Sequence, residues 1–514
     1  MSPKFHSSKD FLLNNFTAHK KYNTDPIPYN SSLQAGENEQ NFPNGFSHDL
    51  HHFFSTPVYS YICLSLITNH LAIMNLKATS PLLLLIFSCT LPLTARQLTK
   101  EEKQIIKNVE KNHEESVTFL ENTVNINSGT YNVAGVKKVG LIYKAFLDQL
   151  GFTTQWVDMP SDMKRAGHLI GEIKGKKGKR LLLIGHIDTV FEPESPFQVW
   201  TRKDSIASGP GTNDMKGGNM VMLYALKALK EAGLLQDRQV IVILHGDEES
   251  AGRPLDISRK DIIEAAKRSD VALCFETGTG FNYATVARRG SSNWKLTVTG
   301  KQAHSSGIFS ERVGAGAIYE TARILHRFYS ELQEQYLTYN PGIILGGTQL
   351  STDSTGTEGT VSGKTNIISN TTIVNGDLRF ISEEQKNTTR EKMKAIVKES
   401  LPGTKAEITF SDGYPSMPPT DGNMAVLKSL SKVSVDLRQG EVKPYDPGLR
   451  GAGDISFVAQ YLDCLDGLGA MGGGAHAPQE FINLNSLQNI EKRVALLFYR
   501  LSNEKVVAQT RSKQ

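Results

Sequence analysis

The sequence predicts an α/β protein that carries an inserted α+β domain. Short, continuous apolar runs alternate with amphipathic helical stretches, and such runs are typical of strands buried on both faces of a mixed or parallel sheet. From about residue 288 the order of elements becomes strand, helix, strand, strand, helix, strand, which is the order of a ferredoxin-like unit. We therefore expect an α/β domain in two parts, 96–287 and 409–514, with the insertion at 288–408.

The residues before this fold have a different character. Residues 1–73 are rich in Asn, His, Ser and Pro without a sustained period, which predicts a disordered or mis-assigned N-terminal extension. If translation starts at Met74, residues 74–95 have the basic segment, apolar core and small-residue end of a signal peptide, which predicts a periplasmic or secreted protein. A lipid anchor at Cys89 and a tail with an incidental apolar patch are the alternatives. The apolar run Pro81–Ser88 is too short for a stable membrane span, which needs about 20 residues.

Composition narrows the class of function. The 514 residues have a net charge of +4 and no basic stripe with interleaved aromatic residues, so nucleic acid is not an expected partner. The four cysteines form no CxxC pair and are too few for a disulfide framework. The hydrophobic fraction of 39% is ordinary for a globular protein, so function has to be inferred from motifs.

Each predicted element follows from its own pattern of apolar residues. The segments with helical periodicity are 103–126, 139–152 (ended by Gly151), 215–235 (ended by Gly233), 311–332, 383–401, 424–437 and 484–502. The segments with strand character are 180–188, 239–247, 271–277, 291–300, 365–381 and 406–413. The first three of these strands belong to the α/β domain, and the last three belong to the insertion.

Five metal-type ligands lie at the ends of these elements. His186, Glu249 and Glu276 follow the three buried strands, Asp214 precedes a helix in the loop GPGTNDMKGG, and His476 lies in the glycine loop GGGAHAPQE. Open α/β sheets place their sites at the carboxyl ends of the strands, so these residues are expected to converge. Two imidazoles and three carboxylates form a set that suits two zinc ions.

Glu248 and Asp188 complete the expected site. Adjacent side chains diverge, so Glu249 can hold a metal ion while Glu248 faces the bound water as a general base. Burial beside another carboxylate raises the pKa of such a base towards the working pH. Asp188, two residues after His186, either orients that imidazole or shapes the ligand loop.

Each of these residues also has a structural alternative. A His-x-Asp pair at a strand end is often incidental, Asp214 is placed to cap the helix that follows it, and His476 alone would be a loop histidine. Surface Glu-Glu pairs are common, although they rarely end a buried strand. The combination of five ligands, and not any single residue, indicates a metallohydrolase.

Read in order, the motifs HIDTV, GPGTNDMKGG and GDEES, the strand-end Glu276 and the motif GGGAHAPQE resemble one known series. It is the series of the di-zinc exopeptidase family that contains glutamate carboxypeptidase, acetylornithine deacetylase and succinyl-diaminopimelate desuccinylase. The resemblance covers about residues 100–505, with a lid-type insertion in the same place, and is closest to glutamate carboxypeptidase.

The resemblance implies a role for each ligand. His186 and Glu276 would bind one zinc ion, Glu249 and His476 would bind the other, and Asp214 with a water or hydroxide would bridge them. Cobalt or manganese could replace zinc, because the same ligand types accept all three metals.

The resemblance extends to residues around the metal ligands. Asp188 matches the aspartate that orients a ligand, and Glu248 matches the general base. The peptide bond after Asp214 is expected to be cis, which outside proline costs about 2.5–4 kcal/mol.

Three residues of the insertion match the substrate-binding residues of this family. His304 matches a lid histidine that in related dimers reaches the partner subunit's active site, and this implies a homodimer formed through the lid. Asn366 and Arg379 match residues that hold the free carboxylate of the substrate, and a guanidinium is suited to bidentate carboxylate binding. The alternatives are that His304 caps a turn and that Arg379 pairs with the nearby Asp377.

The resulting prediction is a carboxypeptidase that hydrolyses an amide bond and releases a C-terminal amino acid from a small acyl-amino acid or peptide. A hydroxide that bridges the zinc ions would attack the carbonyl, and Glu248 would take the proton and return it to the leaving amine. An N-acyl-amino-acid deacylase or a dipeptidase is the alternative within the same chemistry. An inactive dimeric binding protein is a remote alternative, which would predict that a ligand or the base is missing.

Overall fold

The computed structural model describes residues 95–506 with the exception of Ser354. The predicted N-terminal extension at 1–73 lies outside the described residues. The predicted signal peptide at 74–95 also lies outside them, apart from Ala95.

Each segment with helical periodicity contains a helix, and two short helices at 255–258 and 260–266 were not predicted. In chain order the helices are α1 (Lys100–Val124), α2 (Val133–Leu150), α3 (Lys216–Glu231), α4 (Leu255–Ser258), α5 (Lys260–Ala266), α6 (Ala317–Glu331), α7 (Glu383–Lys398), α8 (Asp421–Asp436) and α9 (Leu484–Leu501). Across residues 95–506, no helix combines the length and the apolar character that crossing a membrane requires.

The strands form a central sheet and several smaller sheets. In chain order they are β1 (Thr153–Val157), β2 (His168–Lys174), β3 (Lys177–His186), β4 (Thr201–Lys203), β5 (Ile206–Ser208), β6 (Arg238–His245), β7 (Val271–Cys274), β8 (Tyr283–Ala284), β9 (Gly290–Gly300), β10 (Thr338–Gly347), β11 (Gln349–Thr352), β12 (Gly359–Ser362), β13 (Thr371–Phe380), β14 (Thr404–Asp412), β15 (Lys443–Pro444), β16 (Asp463–Leu465), β17 (Gly472–Gly473) and β18 (Phe481–Asn483).

Helix ends follow local chemistry. Thr99 and Glu102 form a capping box at the start of α1: the Glu102 N–H donates to Thr99 Oγ1, and the Thr99 N–H donates to the Glu102 carboxylate. Helix α2 ends at Gly151, as predicted, because Gly151 adopts φ 94°, a left-handed conformation that glycine accepts without a side-chain clash.

The central sheet is mixed. Its order is β1-β2-β6-β3-β7-β16, with β3, β6, β7 and β16 parallel and with β1 and β2 antiparallel at one edge. The register places His186 at the end of β3 opposite His245 at the end of β6. The parallel strands therefore deliver their following loops to the same edge of the sheet.

Both faces of the central sheet are buried, which explains why its strands read as continuous apolar runs. Successive side chains point to opposite faces of a strand. In β3, Leu181 and Leu183 pack into the core under α1, α3 and α9, whereas Leu182 and Ile184 pack into the core formed with α5 and the turn that contains Phe457. This three-layer arrangement confirms the predicted α/β domain.

The insertion is a four-stranded antiparallel sheet with two helices. Its order β10-β13-β9-β14 is that of a ferredoxin-like unit. Apolar residues of α6 and α7, including Phe328 and Met393, pack against Trp294 and Val374 of the sheet in a separate core. The last strand ends at Asp412, so the predicted boundary at residue 408 falls inside it.

The contact between α1 and α9 predicts a stability contribution that depends on pH. His113 Nδ1 lies 3.6 Å from the Glu491 carboxylate, and this contact raises the pKa of the imidazole although partial burial opposes the shift. A raised pKa stabilises the folded protein below the unfolded pKa of about 6.5, and that stabilisation is lost as the pH rises through the folded value. We expect His113→Gln to lower the Tm near pH 6.5 and to change it little near pH 9.

Thermal unfolding of wild type and variant across this pH range would measure the effect. Burial also raises the pKa of the Glu491 carboxyl, so the difference should shrink again at acidic pH. The matched control is His326→Gln, because His326 is exposed on α6. A Tm difference that stays constant from neutral to alkaline pH would show that the pair does not stabilise the fold through its charge.

Candidate active site

Three of the predicted ligands lie where parallel strands of the central sheet end. His186 is the last residue of β3, Glu249 follows β6 by four residues, and Glu276 follows β7 by two residues. The backbone at His186 is held by the Asn219 side chain, which donates to the His186 carbonyl at 2.6 Å. The sheet therefore brings the three side chains to one edge, as the strand pattern predicts.

Asp214 lies in a loop whose backbone is held by a buried carboxylate. The Glu480 carboxylate accepts hydrogen bonds from the N–H groups of Gly211 (3.3 Å), Asn213 (2.7 Å) and Asp214 (2.9 Å). Gly211 adopts φ 76°, which a β-carbon would disfavour. The peptide bond between Asp214 and Met215 is cis, as expected. The loop thus projects the Asp214 side chain towards the strand ends.

His476 reaches the same place from the glycine loop. A β-carbon at Gly472 would lie 1.8 Å from the Phe481 carbonyl oxygen, so only glycine allows β17 and β18 to approach this closely. His476 itself adopts φ 65°, a conformation that is uncommon for a residue with a side chain. Its side chain is 58% exposed, so the site opens to solvent on this side.

The five predicted ligands form two groups that share Asp214. His186 Nε2 lies 3.2 Å from Asp214 Oδ1 and 3.8 Å from Glu276 Oε1. His476 Nε2 lies 3.3 Å from Asp214 Oδ2 and 3.1 Å from Glu249 Oε2. In each group, one ligand atom from each residue lies within 4.8 Å of the others. The two oxygens of Asp214 thus face different histidines, as a bridging carboxylate requires.

Charges in the two groups perturb one another strongly. Burial, followed by the charge of Asp214, raises the pKa of Glu276 to about 7, and burial raises the pKa of Glu249. Hydrogen bonds to Asp214 and Glu249 raise the pKa of His476 to about 11. Oε1 of Glu249 is buried and has no hydrogen-bond partner among the described residues. Carboxylates crowded in this way, with a spare buried oxygen, fit a site that holds cations.

Asp188 holds the loop of Glu248 and Glu249 more directly than it orients His186. Its Oδ1 accepts the Glu248 N–H and its Oδ2 accepts the Glu249 N–H, both at 3.0 Å, while Thr130 Oγ1 donates to Oδ2 at 2.7 Å. His186 Nδ1 lies 3.0 Å from the Asp188 carbonyl oxygen and 3.4 Å from its carboxylate. The Asp188 carboxylate therefore lies closer to the backbone of the ligand loop than to the His186 imidazole. Of the two predicted roles, the contacts favour shaping of the ligand loop.

The Glu248 carboxyl is set apart from the two ligand groups but is affected by them. Burial, followed by the charge of Glu276, raises the pKa of Glu248 well above the ordinary range of a glutamate. The backbone carbonyl oxygen of Glu248 accepts a hydrogen bond from the Tyr414 hydroxyl at 3.0 Å. A carboxyl with a raised pKa beside a metal-type site is a candidate for proton transfer.

Behind Glu248 lies a buried ionic cluster that the motifs did not indicate. Arg259 donates from Nη1 to the Asp247 carboxylate at 2.7 Å and from Nε to the Asp454 carboxylate at 2.8 Å. Asp454 also contacts His245 Nδ1, and Arg259 Nη2 donates to the Tyr414 hydroxyl at 2.9 Å. This cluster joins the loop after β6 to the turn at Asp454 and to the segment that follows β14.

The three predicted lid residues are not brought to the ligand groups by any hydrogen bond or ion pair among the described residues. His304 caps the short turn at 305–307, where its Nδ1 accepts the Ser306 N–H at 3.2 Å. The Asn366 carbonyl accepts the Ser305 N–H at 2.8 Å, so these two segments are neighbours. Arg379 Nε donates to Asp377 at 2.8 Å. The two structural alternatives, a turn cap at His304 and a pair between Arg379 and Asp377, are thus both present in the structure.

Glu480 and Arg288 are further residues of the site that the motifs did not single out. Glu480 lies four residues after His476 in the same glycine motif, so its position was the available signal. Arg288 Nη2 lies 3.7 Å from Glu276 Oε2. For Arg288 the sequence offered one signal: the order of strands and helices changes near that residue, where the insertion begins.

Comparison with known proteins agrees with this geometry. The model of Peptidase family M20/M25/M40 matches residues 182–500. Carboxypeptidase G2 of Pseudomonas sp. (strain RS-16) is 27% identical over 386 residues, which cover 72% of this chain and 85% of that protein. The match confirms the resemblance inferred from the motifs.

Solved structures show the same fold. The aminopeptidase PepT of Bacillus cereus superposes with a TM-score of 0.62 at 20% identity, over 76% of this chain and 99% of its own. A Bacillus subtilis protein described as a dinuclear metal binding peptidase from the M20 family superposes with a TM-score of 0.51 at 14% identity, over 76% and 99% of the two chains. The family model covers more than half of the 514 residues, and the chain therefore belongs to peptidase family M20/M25/M40, a family of metallohydrolases.

Proposed function

We propose that the chain is a di-metal carboxypeptidase that hydrolyses an amide bond and releases a C-terminal amino acid. The observation that carries the proposal is the position of Asp214, whose two oxygens face His186 and His476 in separate groups of ligands. The 27% identity to carboxypeptidase G2 over most of both chains supports the direction of cleavage.

Two metal ions would be held by residues already in place. His186 and Glu276 would bind one, Glu249 and His476 would bind the other, and Asp214 would bind both. Imidazole and carboxylate ligands suit zinc, and cobalt and manganese accept the same set. Such ions lower the pKa of a bound water and polarise the carbonyl group of a substrate.

Glu248 would move the protons of the reaction. As a carboxylate it accepts a proton from the attacking water, and as a carboxylic acid it returns that proton to the nitrogen of the leaving amine. Burial raises the pKa of Glu248, which favours the protonated form that donates to the leaving amine. The backbone N–H groups of residues 248 and 249 donate to Asp188, and these hydrogen bonds fix the loop that carries the Glu248 carboxyl.

The lid would supply the contacts to the end of the substrate. Asn366 and Arg379 would hold the free carboxylate, and His304 would reach an active site in a homodimer formed through the insertion. In the described structure these residues make local contacts, so the proposal requires closure of the lid or a second copy of the chain.

A second candidate is an N-acyl-amino-acid deacylase or dipeptidase. It is supported by the similarity to the succinyl-diaminopimelate desuccinylase of Cupriavidus necator, which is 25% identical over 349 residues. Either activity uses the same ligands and the same base. The two candidates differ only in which substrates bind well.

Export of the protein is a separate part of the proposal. Residues 74–95 have the pattern of a signal peptide if translation begins at Met74. Peptide mapping of the mature N-terminus tests it: a protein that begins near Arg96 supports export, whereas retained peptides from 1–73 contradict it.

The first prediction for this site concerns the base. We expect Glu248→Gln to lower kcat by about 10²–10⁴-fold, because the amide cannot accept the proton of the attacking water. Hydrolysis of an N-acyl-glutamate, an N-acyl-alanine and a dipeptide would be measured on protein that begins at Arg96. The control is Glu264→Gln, since Glu264 is exposed on α5.

The outcomes separate the candidate functions. Release of glutamate by wild type, lost in Glu248→Gln, supports the carboxypeptidase. Cleavage of only the alanine compound or the dipeptide favours the second candidate. Failure to cleave any compound, with two metal ions bound, would contradict both and would revive an inactive binding protein.

A further prediction concerns the shared ligand. We expect wild type to hold two metal ions, Glu276→Gln to hold one tightly, and Asp214→Asn to weaken both, because Asp214 alone belongs to both groups. Metal content after dialysis against a chelator would be measured by elemental analysis.

Thermal unfolding gives a second measurement of metal binding. A metal ion whose free concentration is 100 times its Kd stabilises the folded state by about 2.7 kcal/mol. Removal of the metal by a chelator should therefore lower the Tm of wild type. If Asp214→Asn retained both ions as firmly as wild type, the shared-ligand arrangement would be wrong.

A further inference from the structure

Two guanidinium groups, those of Arg288 and Arg450, share the Asp466 carboxylate, and Arg288 also approaches the ligand Glu276. Arg288 donates from Nε to the Asp466 carboxylate and from Nη1 to the carbonyls of Gly451 and Ala452, each at 3.0 Å. Its Nη2 lies 3.7 Å from Glu276 Oε2. The loop that begins at Gly451 therefore wraps around one guanidinium and presents the preceding residue, Arg450, beside it.

Arg450 has no comparable set of partners. Its side chain is 14% exposed, and its nearest carboxylate is Asp466, at 4.0 Å from Nη2. Nε and Nη2 are buried, and neither has a hydrogen-bond partner among residues 95–506. A buried guanidinium whose donors are unused is costly, because the charge has lost its water without gaining an acceptor.

The charges of this region are unbalanced. Arg288 and Arg450 face Asp466, which Arg288 already engages. Glu276 belongs to the ligand group of His186 and Asp214. One positive charge, that of Arg450, is left without a carboxylate of its own.

We propose that Arg450, supported by Arg288, forms a subsite for a carboxylate of the substrate, and that the enzyme therefore prefers to release an acidic amino acid. This inference rests on the proposed function. The single unmatched positive charge suits a monoanion, and a guanidinium offers parallel N–H donors that match a carboxylate. A dianion such as phosphate would be repelled by the nearby Asp466 and Glu276.

The side chain of the released residue is the carboxylate that we assign to this subsite. The α-carboxylate would be held by the lid residues Asn366 and Arg379. Arg450 instead belongs to the α/β domain, close enough to the ligands Glu276 and Asp214 for their charges to act on it. There it can reach a second carboxylate near the amide bond that is cleaved. The α-carboxylate remains the other possible source of the same chemistry, and the experiment separates the two.

The test compares three substrates that share one acyl group: N-acyl-glutamate, N-acyl-glutamine and the α-amide of N-acyl-glutamate. We expect wild type to prefer N-acyl-glutamate over N-acyl-glutamine in kcat/KM. Arg450→Gln should lower this preference by about 10- to 100-fold, the range of one charge-assisted contact. Arg202→Gln is the control, because Arg202 is exposed on β4 and its Nε donates only to a carbonyl.

The pattern of loss identifies the carboxylate. A loss in Arg450→Gln that follows the glutamate side chain, and persists with the α-amide, supports the assignment. A loss that follows the α-carboxylate keeps the subsite but overturns its assignment to the side chain. Equal losses on all three substrates, or no loss at all, would overturn the subsite.

Binding of free glutamate and glutamine separates this proposal from the proposed function. Calorimetry on the metal-loaded full protein should show tighter binding of glutamate, and this advantage should be lost in Arg450→Gln. If wild type cleaves none of the substrates, the proposed function fails, yet the calorimetry still decides the subsite. Equal affinity of wild type for glutamate and glutamine would overturn it.

Discussion

The structure of the site depends on holding four carboxylates together in a buried space where they repel one another. Asp214, Glu248, Glu249 and Glu276 come from loops that are distant in the chain, and burial raises the pKa of the three glutamates. Two other carboxylates oppose this repulsion through the backbone. Asp188 accepts the N–H groups of residues 248 and 249, and Glu480 accepts those of residues 211, 213 and 214. Hydrogen bonds within the protein thus fix the ligand loops, which is the preorganisation that a metal site needs.

The ionic cluster behind Glu248 extends this constraint to the junction with the insertion. Arg259 binds Asp247 and Asp454 and also the hydroxyl of Tyr414, which in turn donates to the Glu248 carbonyl. Tyr414 lies two residues after β14, the strand that ends the insertion. A rotation of the insertion would therefore act on the backbone of Glu248 through one hydrogen bond. The position of the insertion and the position of Glu248 are mechanically connected in this fold.

The sequence was sufficient for the parts of the molecule that depend on local pattern. Buried strands appear as apolar runs and their ends carry ligands, so the sheet edge and the five-residue set were predictable. Strand β10 was not singled out, because Pro341 and Gly342 interrupt its pattern where the pairing shifts register. Glu480 could not be assigned to the Asp214 loop either, since its contacts join residues about 270 positions apart and hydrophobic periodicity does not report polar partners. The charged groups around Arg450 could not be predicted for the same reason, since hydrophobic periodicity carries no information about them.

The two guanidiniums that we propose as substrate-binding groups, Arg379 and Arg450, differ in how strongly each would bind an anion. Arg379 is 38% exposed and already pairs with Asp377, so a substrate carboxylate would compete with water and with that aspartate. Arg450 is largely buried, and its nearest carboxylate, Asp466, is already engaged by Arg288. A charge pair formed in a poorly hydrated site is stronger than the same pair near the surface, provided that the desolvation has already occurred on one side. Arg450 has undergone that desolvation during folding. Selectivity for an acidic residue is therefore expected to depend more on the rigid α/β domain than on the closing lid.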